Sequence, residues 1–110
     1  MGRGKAEAVE PTTGDVFLDL GFADAGERRL RVRLAMLLNE AILELGLTQV
    51  EAAARLGIAQ PHVSELRHFK LRRFSSERLL RFLALLGREV EIVVRRSRRG
   101  TGGRLSVSVD

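Results

Sequence analysis

The sequence predicts a mostly α-helical fold of four to five helices that ends in a short C-terminal β-strand or hairpin. Three observations lead to this fold class. Apolar residues recur at three- and four-residue steps in several stretches of the 110-residue chain, which is the period of an amphipathic helix. Gly46, Gly57 and Gly87 follow these stretches, and glycine commonly follows the last turn of a helix. The C-terminal stretch alternates in polarity with the two-residue period of a strand.

The first helix is predicted to begin near Asp24, since Asp24 and Glu27 have the spacing of a capping box. Gly46 is expected to lie just past its last turn. Between these ends, one apolar face is expected to pack against the other helices, and its residues are Leu30, Leu34, Leu37, Ala41 and Leu45.

Two short helices are predicted next. Thr48 and Glu51 have the pattern of a full capping box at the start of the second helix, and Gly57 is expected to end it. The third helix is predicted to run from Gln60 to about His68, because the proline that follows Gln60 is tolerated in a first turn. The inward-facing residues of these two helices are predicted to be Ala52, Ala53, Leu56, Val63 and Leu66.

The fourth helix is predicted to open at Phe74 and Ser75, and Phe74 and Leu79 have the spacing of a hydrophobic staple. Gly87 is expected to end this helix. Its broad apolar face consists of Leu79, Leu80, Phe82, Leu83 and Leu86.

Two short strands are predicted after the helices. The first covers residues 89–95, with Val90, Ile92 and Val94 on one face. A Gly- and Arg-rich loop over residues 96–104 separates it from a second alternating stretch, which contains Leu105, Val107 and Val109. Because a lone hairpin is only marginally stable in water, we expect these strands to pack on the helices or to pair with another chain.

These elements divide the chain into four segments. Residues 1–14 show no periodicity and are predicted to form a disordered tail. Residues 15–23 form an arm that is both apolar and acidic. Residues 24–87 form the helical domain, and residues 88–110 form the C-terminal strands with their loop.

Charge is unevenly distributed along the chain. The net charge is +5, yet residues 1–27 contain two Lys/Arg and six Asp/Glu, so that the remaining residues carry +9. A basic body of this kind suits a polyanionic partner. The acidic first segment suggests a second partner, which is basic.

The composition argues against catalytic, metal-binding and membrane functions. There is no Cys, no apolar run approaches the roughly 20 residues of a membrane span, and the polar first ten residues are not a signal peptide. The two histidines, His62 and His68, lack the spacing of a helical metal pair, and no acid or nucleophile elbow accompanies His62 and Ser64. We therefore expect a cytoplasmic protein that is not an enzyme and has no metal and no cofactor.

The segment from Gln49 to Leu66 has the pattern of a helix-turn-helix. Two helices that cross at roughly 90–120° need a small residue where they touch, and Ala53 provides it. Gly57 tolerates the positive φ that the turn requires. Apolar residues stand before, within and after the turn, at Leu56, Ile58, Val63 and Leu66. Each residue alone is ordinary, and together they predict the motif.

Over about Arg31 to Leu86 the sequence resembles the Xre/Cro-type helix-turn-helix family, which implies an Xre/lambda-repressor-like helix-turn-helix bundle. A closer resemblance, over residues 15–22, 47–53, 74–83 and 86–94, is to antitoxins of the HigA type, which are encoded beside toxins of the HigB/RelE type. It implies a dimeric repressor that binds its own operator and neutralises a ribosome-dependent mRNA endonuclease. One residue departs from the family pattern: Ala59 stands where a serine N-cap is common.

In a helix-turn-helix the second helix of the motif enters the major groove of double-stranded DNA with its N-terminal residues first, so the third predicted helix is expected to contact the bases. Glutamine pairs with adenine and arginine with guanine through two hydrogen bonds each. The predicted base contacts are Gln60, His62, Ser64 and Arg67, with Gln60 at the tip of the helix. Arg67 could instead reach a phosphate, and Glu65 could accept from cytosine or lie outside the groove.

Phosphate contacts are predicted on either side of these residues. Free N–H groups and the helix dipole at Thr48 and Gln49 suit an anion, although Thr48 also caps its helix without DNA. Lys70, Arg72 and Arg73 follow the third helix and are predicted to contact backbone phosphates, which set the register without reading the sequence. The alternative is that the arginines only solvate a loop.

The acidic arm is a candidate for protein contacts. Val16, Phe17, Leu18 and Phe22 either dock on a basic ribonuclease toxin or cover the chain's own helices. Sequence alone favours neither over the other.

The first predicted strand is a second candidate for protein contacts. Val90, Ile92 and Val94 alternate suitably for pairing across the two-fold axis of a homodimer, or for binding the toxin. Two recognition helices about 34 Å apart would read successive major grooves.

The sequence leaves other functions open. The alternatives are a stand-alone phage-type repressor without a toxin, a protein-interaction adaptor that binds no DNA, and an RNA-binding protein, for which the 5% aromatic content is low.

Overall fold

The computed structural model describes residues 20–97 and 102–110, with the backbone alone for residues 20–24. Its helices are α1 (Leu20–Glu44), α2 (Gln49–Leu56), α3 (Gln60–Arg67) and α4 (Ser76–Leu85). Residues 31–91 form one compact unit of the chain, and the described residues outside this range belong to a second unit. None of the described helices combines the length and the apolar character needed to cross a bilayer.

The start of α1 differs from the sequence-based prediction. The helix begins at Leu20, so the prediction that Asp24 caps it is wrong. An N-cap residue has a non-helical backbone, and Asp24 lies inside the helix. Once a helix has nucleated, each further residue adds a backbone hydrogen bond, so the turn before Asp24 can extend it.

Each of the four described helices ends in the same way. The residue past the last turn adopts left-handed backbone angles, and the next N–H donates to a carbonyl five residues earlier, at 2.9–3.1 Å. The three predicted glycines, Gly46, Gly57 and Gly87, occupy this position with φ of 67°, 71° and 88°. At the end of α3 the position is held by Phe69, with φ of 59°. A residue with a Cβ is strained there by roughly 1–2 kcal/mol.

The core of residues 31–91 is aliphatic, with two phenylalanines from the α4 region. The inward-facing residues predicted for α2 and α3 are all buried, which confirms that part of the pattern. The buried residues are Leu34, Ala35, Leu38, Ala41 and Ile42 on α1, Ala52, Ala53 and Leu56 on α2, Val63 and Leu66 on α3, and Phe74, Leu79, Phe82, Leu83 and Leu86 around α4.

The buried face of α1 is rotated relative to the predicted one. Leu34 and Ala41 are buried as expected, but Leu37 is only half-buried and Leu45 is 42% exposed. Leu38 and Ile42 are fully buried in their place. Leucines occur on more than one side of this helix, so the sequence pattern alone does not select the side that the other helices cover.

The predicted C-terminal strands are not formed among the described residues. Residues 88–97 and 102–110 contain no strand, although the apolar residues in both stretches alternate as they do in strands. Val90, Ile92 and Val94 are 38%, 73% and 91% exposed. Alternation supplies the side chains of a strand, but a strand also needs a neighbouring backbone for its ladder of hydrogen bonds, and the described residues supply none.

Candidate nucleic-acid interface

The connection between α2 and α3 has the geometry of a helix-turn-helix. The N–H groups of Gly57 and Ile58 both donate to the carbonyl of Ala53, at 2.8 and 3.1 Å. Ala53 itself is only 8% exposed, as expected for the small residue at the helix contact. A Cβ at Gly57 would meet no atom within 4 Å, so it is the positive φ, rather than lack of space, that requires glycine in this turn.

The start of α2 carries the predicted capping box. The Thr48 hydroxyl accepts from the Glu51 N–H at 3.1 Å, and the Glu51 carboxylate accepts from the Thr48 N–H at 2.9 Å. These bonds leave the N–H groups of Gln49 and Val50 in the first turn for an external acceptor. Fewer free N–H groups are therefore offered to a phosphate at this helix start than the sequence suggested. The negative charge of Glu51 also lies beside them.

The start of α3 has no side-chain cap. Ala59 is the N-cap residue and cannot accept a hydrogen bond through its side chain, as the sequence led us to expect. Pro61 in the first turn has no N–H to satisfy. Gln60 is exposed at this tip, so its amide is accessible to a base edge.

The predicted base contacts do not all share one face of α3. Val63 and Leu66 are buried, which fixes the side of the helix that faces the core. Gln60, Ser64 and Arg67 succeed one another at four- and three-residue steps and so lie on one face beside this buried side. His62, two residues after Gln60, lies toward the other edge of the helix and is half-buried. The helix thus brings together three of the four residues.

A contact from α1 fixes the far end of α3. The Asn39 amide nitrogen donates to the carbonyl of Leu66 at 3.3 Å, and this carbonyl, in the last turn of α3, also accepts from the Phe69 N–H at 3.1 Å. The Asn39 side-chain oxygen is buried and has no hydrogen-bond partner among the described residues. We did not predict this residue from the sequence. The sequence offers one sign of this contact, which is an amide side chain placed between the apolar residues Leu38 and Ala41.

The segment after α3 is strongly basic, but its arginines differ. Lys70, Arg72 and Arg73 are all exposed. The Arg73 guanidinium donates to both oxygens of Glu65 on α3, from Nε at 2.6 Å and from Nη2 at 3.3 Å. This hydrogen bonding with Arg73 lowers the pKa of Glu65 below its ordinary value. The ion pair therefore persists at neutral pH and is lost as the pH falls through that lowered pKa.

Helix α4 also contacts the basic segment that follows α3. Nη1 of Arg78 donates to the backbone carbonyl of Arg73 at 2.9 Å. The Arg78 guanidinium carbon lies 5.3 Å from the ring centroids of both Phe74 and Phe82, within the range of a cation–π interaction. These rings pack edge to face at 6.2 Å. The sequence did not predict Arg78, because its contact is to a backbone carbonyl that only the fold brings into reach.

The other predicted site residues lie elsewhere. Val16, Phe17 and Leu18 are outside the described residues, as is the side chain of Phe22. Val90, Ile92 and Val94 lie beyond α4 and are exposed. No group of three potential metal ligands occurs within residues 20–97 and 102–110.

Two comparisons with known proteins concern the whole helical region. Residues 16–95 match a family described as a helix-turn-helix domain. A solved structure of a protein assigned to the XRE family of transcriptional regulators is 49% identical to this chain, with a TM-score of 0.75. The alignment covers 79% of this chain and 99% of that chain. None of the curated proteins matches. The family match over residues 16–95 includes all four described helices.

Proposed function

This chain belongs to the XRE family of DNA-binding helix-turn-helix transcriptional regulators, and from this premise we propose that it represses its own operon as a homodimer and serves as the antitoxin of a type II toxin–antitoxin pair. The observation that carries the repressor proposal is the face of α3 that begins at the exposed Gln60. Gln60 stands at the helix tip, and Ser64 and Arg67 follow on the same face. These side chains carry the donors and acceptors that recognise base edges in the major groove.

The phosphate contacts would flank this face. The first-turn N–H groups of Gln49 and Val50 at the start of α2 suit one phosphate oxygen, with Thr48 and the Gln49 side chain beside them. Lys70 and Arg72 follow α3 and have no ion pair within the described residues. Such contacts position the recognition helix and make the affinity dependent on salt.

Gln60→Ala tests the base-reading role. We expect operator binding to weaken by about 1–3 kcal/mol, with the loss concentrated at one base position, because a bidentate amide contact is specific for one base pair. The measurement is fluorescence anisotropy on a duplex from the protein's own promoter and on a set of duplexes with single base-pair changes. Gln49→Ala is the matched control, since loss of a phosphate contact weakens all duplexes alike. Unchanged affinity and unchanged preference in Gln60→Ala would remove Gln60 from the interface.

The proposed homodimer follows from the size of one reading helix. A single recognition helix contacts few base pairs, and two of them spaced about 34 Å apart give an affinity suited to an operator. The segment with Val90, Ile92 and Val94 is the candidate for the dimer contact. Its alternating apolar side chains are exposed, and a second copy could supply the backbone partner that a strand requires.

The antitoxin proposal is supported by the resemblance to HigA-type proteins and by charge. Residues 1–27 carry six acidic and two basic side chains, and an acidic segment is complementary to a basic ribonuclease. The arm with Val16, Phe17, Leu18 and Phe22 adds apolar side chains to that charge.

Co-expression with a small basic protein from the neighbouring reading frame tests this proposal. The expected result is that the neighbour alone arrests growth and degrades mRNA, and that this chain restores growth through a stable complex. If no neighbouring protein is toxic and operator binding is intact, the chain is a stand-alone repressor.

A further inference from the structure

Arg73 is bound on two sides, by α3 and by α4, and this distinguishes it from the neighbouring cations. Its side chain makes two hydrogen bonds to Glu65 on α3, and its backbone carbonyl accepts one from Arg78 on α4. Arg78 is held in turn by the rings of Phe74, which is fully buried, and Phe82. The result is a continuous set of contacts from the buried rings at α4 to the last turn of the recognition helix.

We propose that Arg73 is a positioning residue, which orients α3 for base recognition through Glu65, rather than a phosphate contact as its place in a basic segment suggests. The inference rests on the operator binding proposed above. The proposal also gives Glu65 a role. Its two carboxylate oxygens accept hydrogen bonds from Arg73, and the residue is not a base contact to cytosine.

The geometry supports positioning over phosphate binding for two reasons. An arginine that pairs with a carboxylate through two parallel bonds has a defined orientation, and its five donors are then partly used. If Arg73 turned to a phosphate instead, the Glu65 carboxylate would remain unpaired close to the DNA polyanion, and like charges there repel. Arg72, the adjacent residue, is exposed and is free of both constraints within the described residues.

The two roles give different salt dependences, and this difference is the basis of the test. Loss of one phosphate contact lowers the slope of log K against log salt by about one and weakens all DNA sequences alike. Loss of a positioning residue leaves the number of phosphate contacts unchanged, so the slope is retained. Specific binding weakens selectively, because the base-contacting side chains on α3 are less well placed.

The experiment measures anisotropy over a range of salt concentrations with the promoter duplex and a scrambled duplex. The proteins are the wild type, Arg73→Gln, Glu65→Gln, the Glu65→Gln/Arg73→Gln double variant, and Arg72→Gln as the matched control. We expect Arg73→Gln and Glu65→Gln each to lower the promoter-to-scrambled ratio about tenfold with an unchanged slope, and the double variant to be no worse than either. Arg72→Gln should lower binding to both duplexes and flatten the slope by about one.

Two results would overturn the proposal. One is a flattened slope in Arg73→Gln that matches the slope of Arg72→Gln. The other is a Glu65→Gln variant that binds both duplexes more tightly at an unchanged ratio, since Glu65 would then act only by repulsion. Arg73→Lys is a further check, because lysine keeps the charge for a phosphate but loses the paired geometry. We expect it to lose specificity as Arg73→Gln does, and full retention of specificity would contradict the proposal.

Amide hydrogen exchange on the DNA-free protein separates this inference from the proposed function. Faster exchange in the last turn of α3 in both Arg73→Gln and Glu65→Gln, with no change in Arg72→Gln, is expected if Arg73 holds the helix. Unchanged exchange in all variants would count against it. A wild type that shows no preference for the promoter duplex would refute the proposed operator instead, and the exchange data would still decide the role of Arg73.

Discussion

At the scale of single residues, backbone conformation decides which side chains are allowed around the motif. Gly57 has a φ of 71° in the turn between α2 and α3, and glycine adopts this conformation without strain. Phe69 has a φ of 59° after α3 and is 44% exposed, so one strained residue lies directly beside the proposed DNA-contacting segment. The sequence marked the glycine as a turn residue, but nothing in it marked the phenylalanine.

Gly57→Ala tests the role of the turn. We expect the variant to lose about 1 kcal/mol of unfolding free energy, because a Cβ is strained at this φ even though the space around it is open. Chemical denaturation measures the change. Gly57→Asn should lose less, since asparagine tolerates left-handed angles, and an equal loss in both variants would show that strain at this position is not the cause.

At the scale of elements, the two helices of the motif begin differently. Helix α2 has two reciprocal side-chain bonds at its start, between Thr48 and Glu51, whereas α3 begins at Ala59 with none. The start of α2 is therefore stabilised locally, whereas α3 depends on contacts from other elements. Those contacts are the Asn39 amide on the Leu66 carbonyl and the Glu65–Arg73 ion pair.

Thr48→Ala tests the cap of α2 separately from any DNA contact. The variant should lose about 1 kcal/mol of stability without DNA, because the N–H of Glu51 loses its acceptor. Thermal denaturation is the measurement. Thr48→Ser keeps the hydroxyl and should stay close to the wild type, and a Thr48→Ala variant with an unchanged transition would mean that the cap does not form in solution.

At the scale of the whole molecule, charge and exposed apolar residues are segregated along the chain. Acidic residues predominate before residue 28, and the rest of the chain carries +9. Beyond α4, Ile92 and Val94 are 73% and 91% exposed. Exposed aliphatic residues on one face of an alternating run are typical of a surface that another chain covers, which agrees with the proposed dimer.

Ile92→Lys combined with Val94→Lys tests that surface. We expect sedimentation to show a monomer, and affinity for a full two-fold operator to fall at least about tenfold while affinity for a half-site is unchanged. The matched control is Val93→Lys, which lies on the other face of the alternating run and should remain dimeric. A double variant that is still a dimer would place the dimer contact elsewhere.

The features that sequence alone determined are local ones. Helix capping at Thr48, the turn at Gly57 and the burial of Val63 and Leu66 all depend on residues close together in the chain, and periodicity and capping rules describe such neighbours directly. For the same reason the four helices and the helix-turn-helix were predicted correctly, and Gln60 was placed at the exposed tip of α3.

Only the tertiary structure decided which side of α1 is buried and that the alternating residues after α4 form no strand among those described. It also brought Asn39 to Leu66, 27 residues away, and joined Glu65, Arg73 and Arg78. These contacts involve backbone carbonyls and side chains from separate helices. Their formation depends on how the helices pack, and no spacing within a single element encodes that packing.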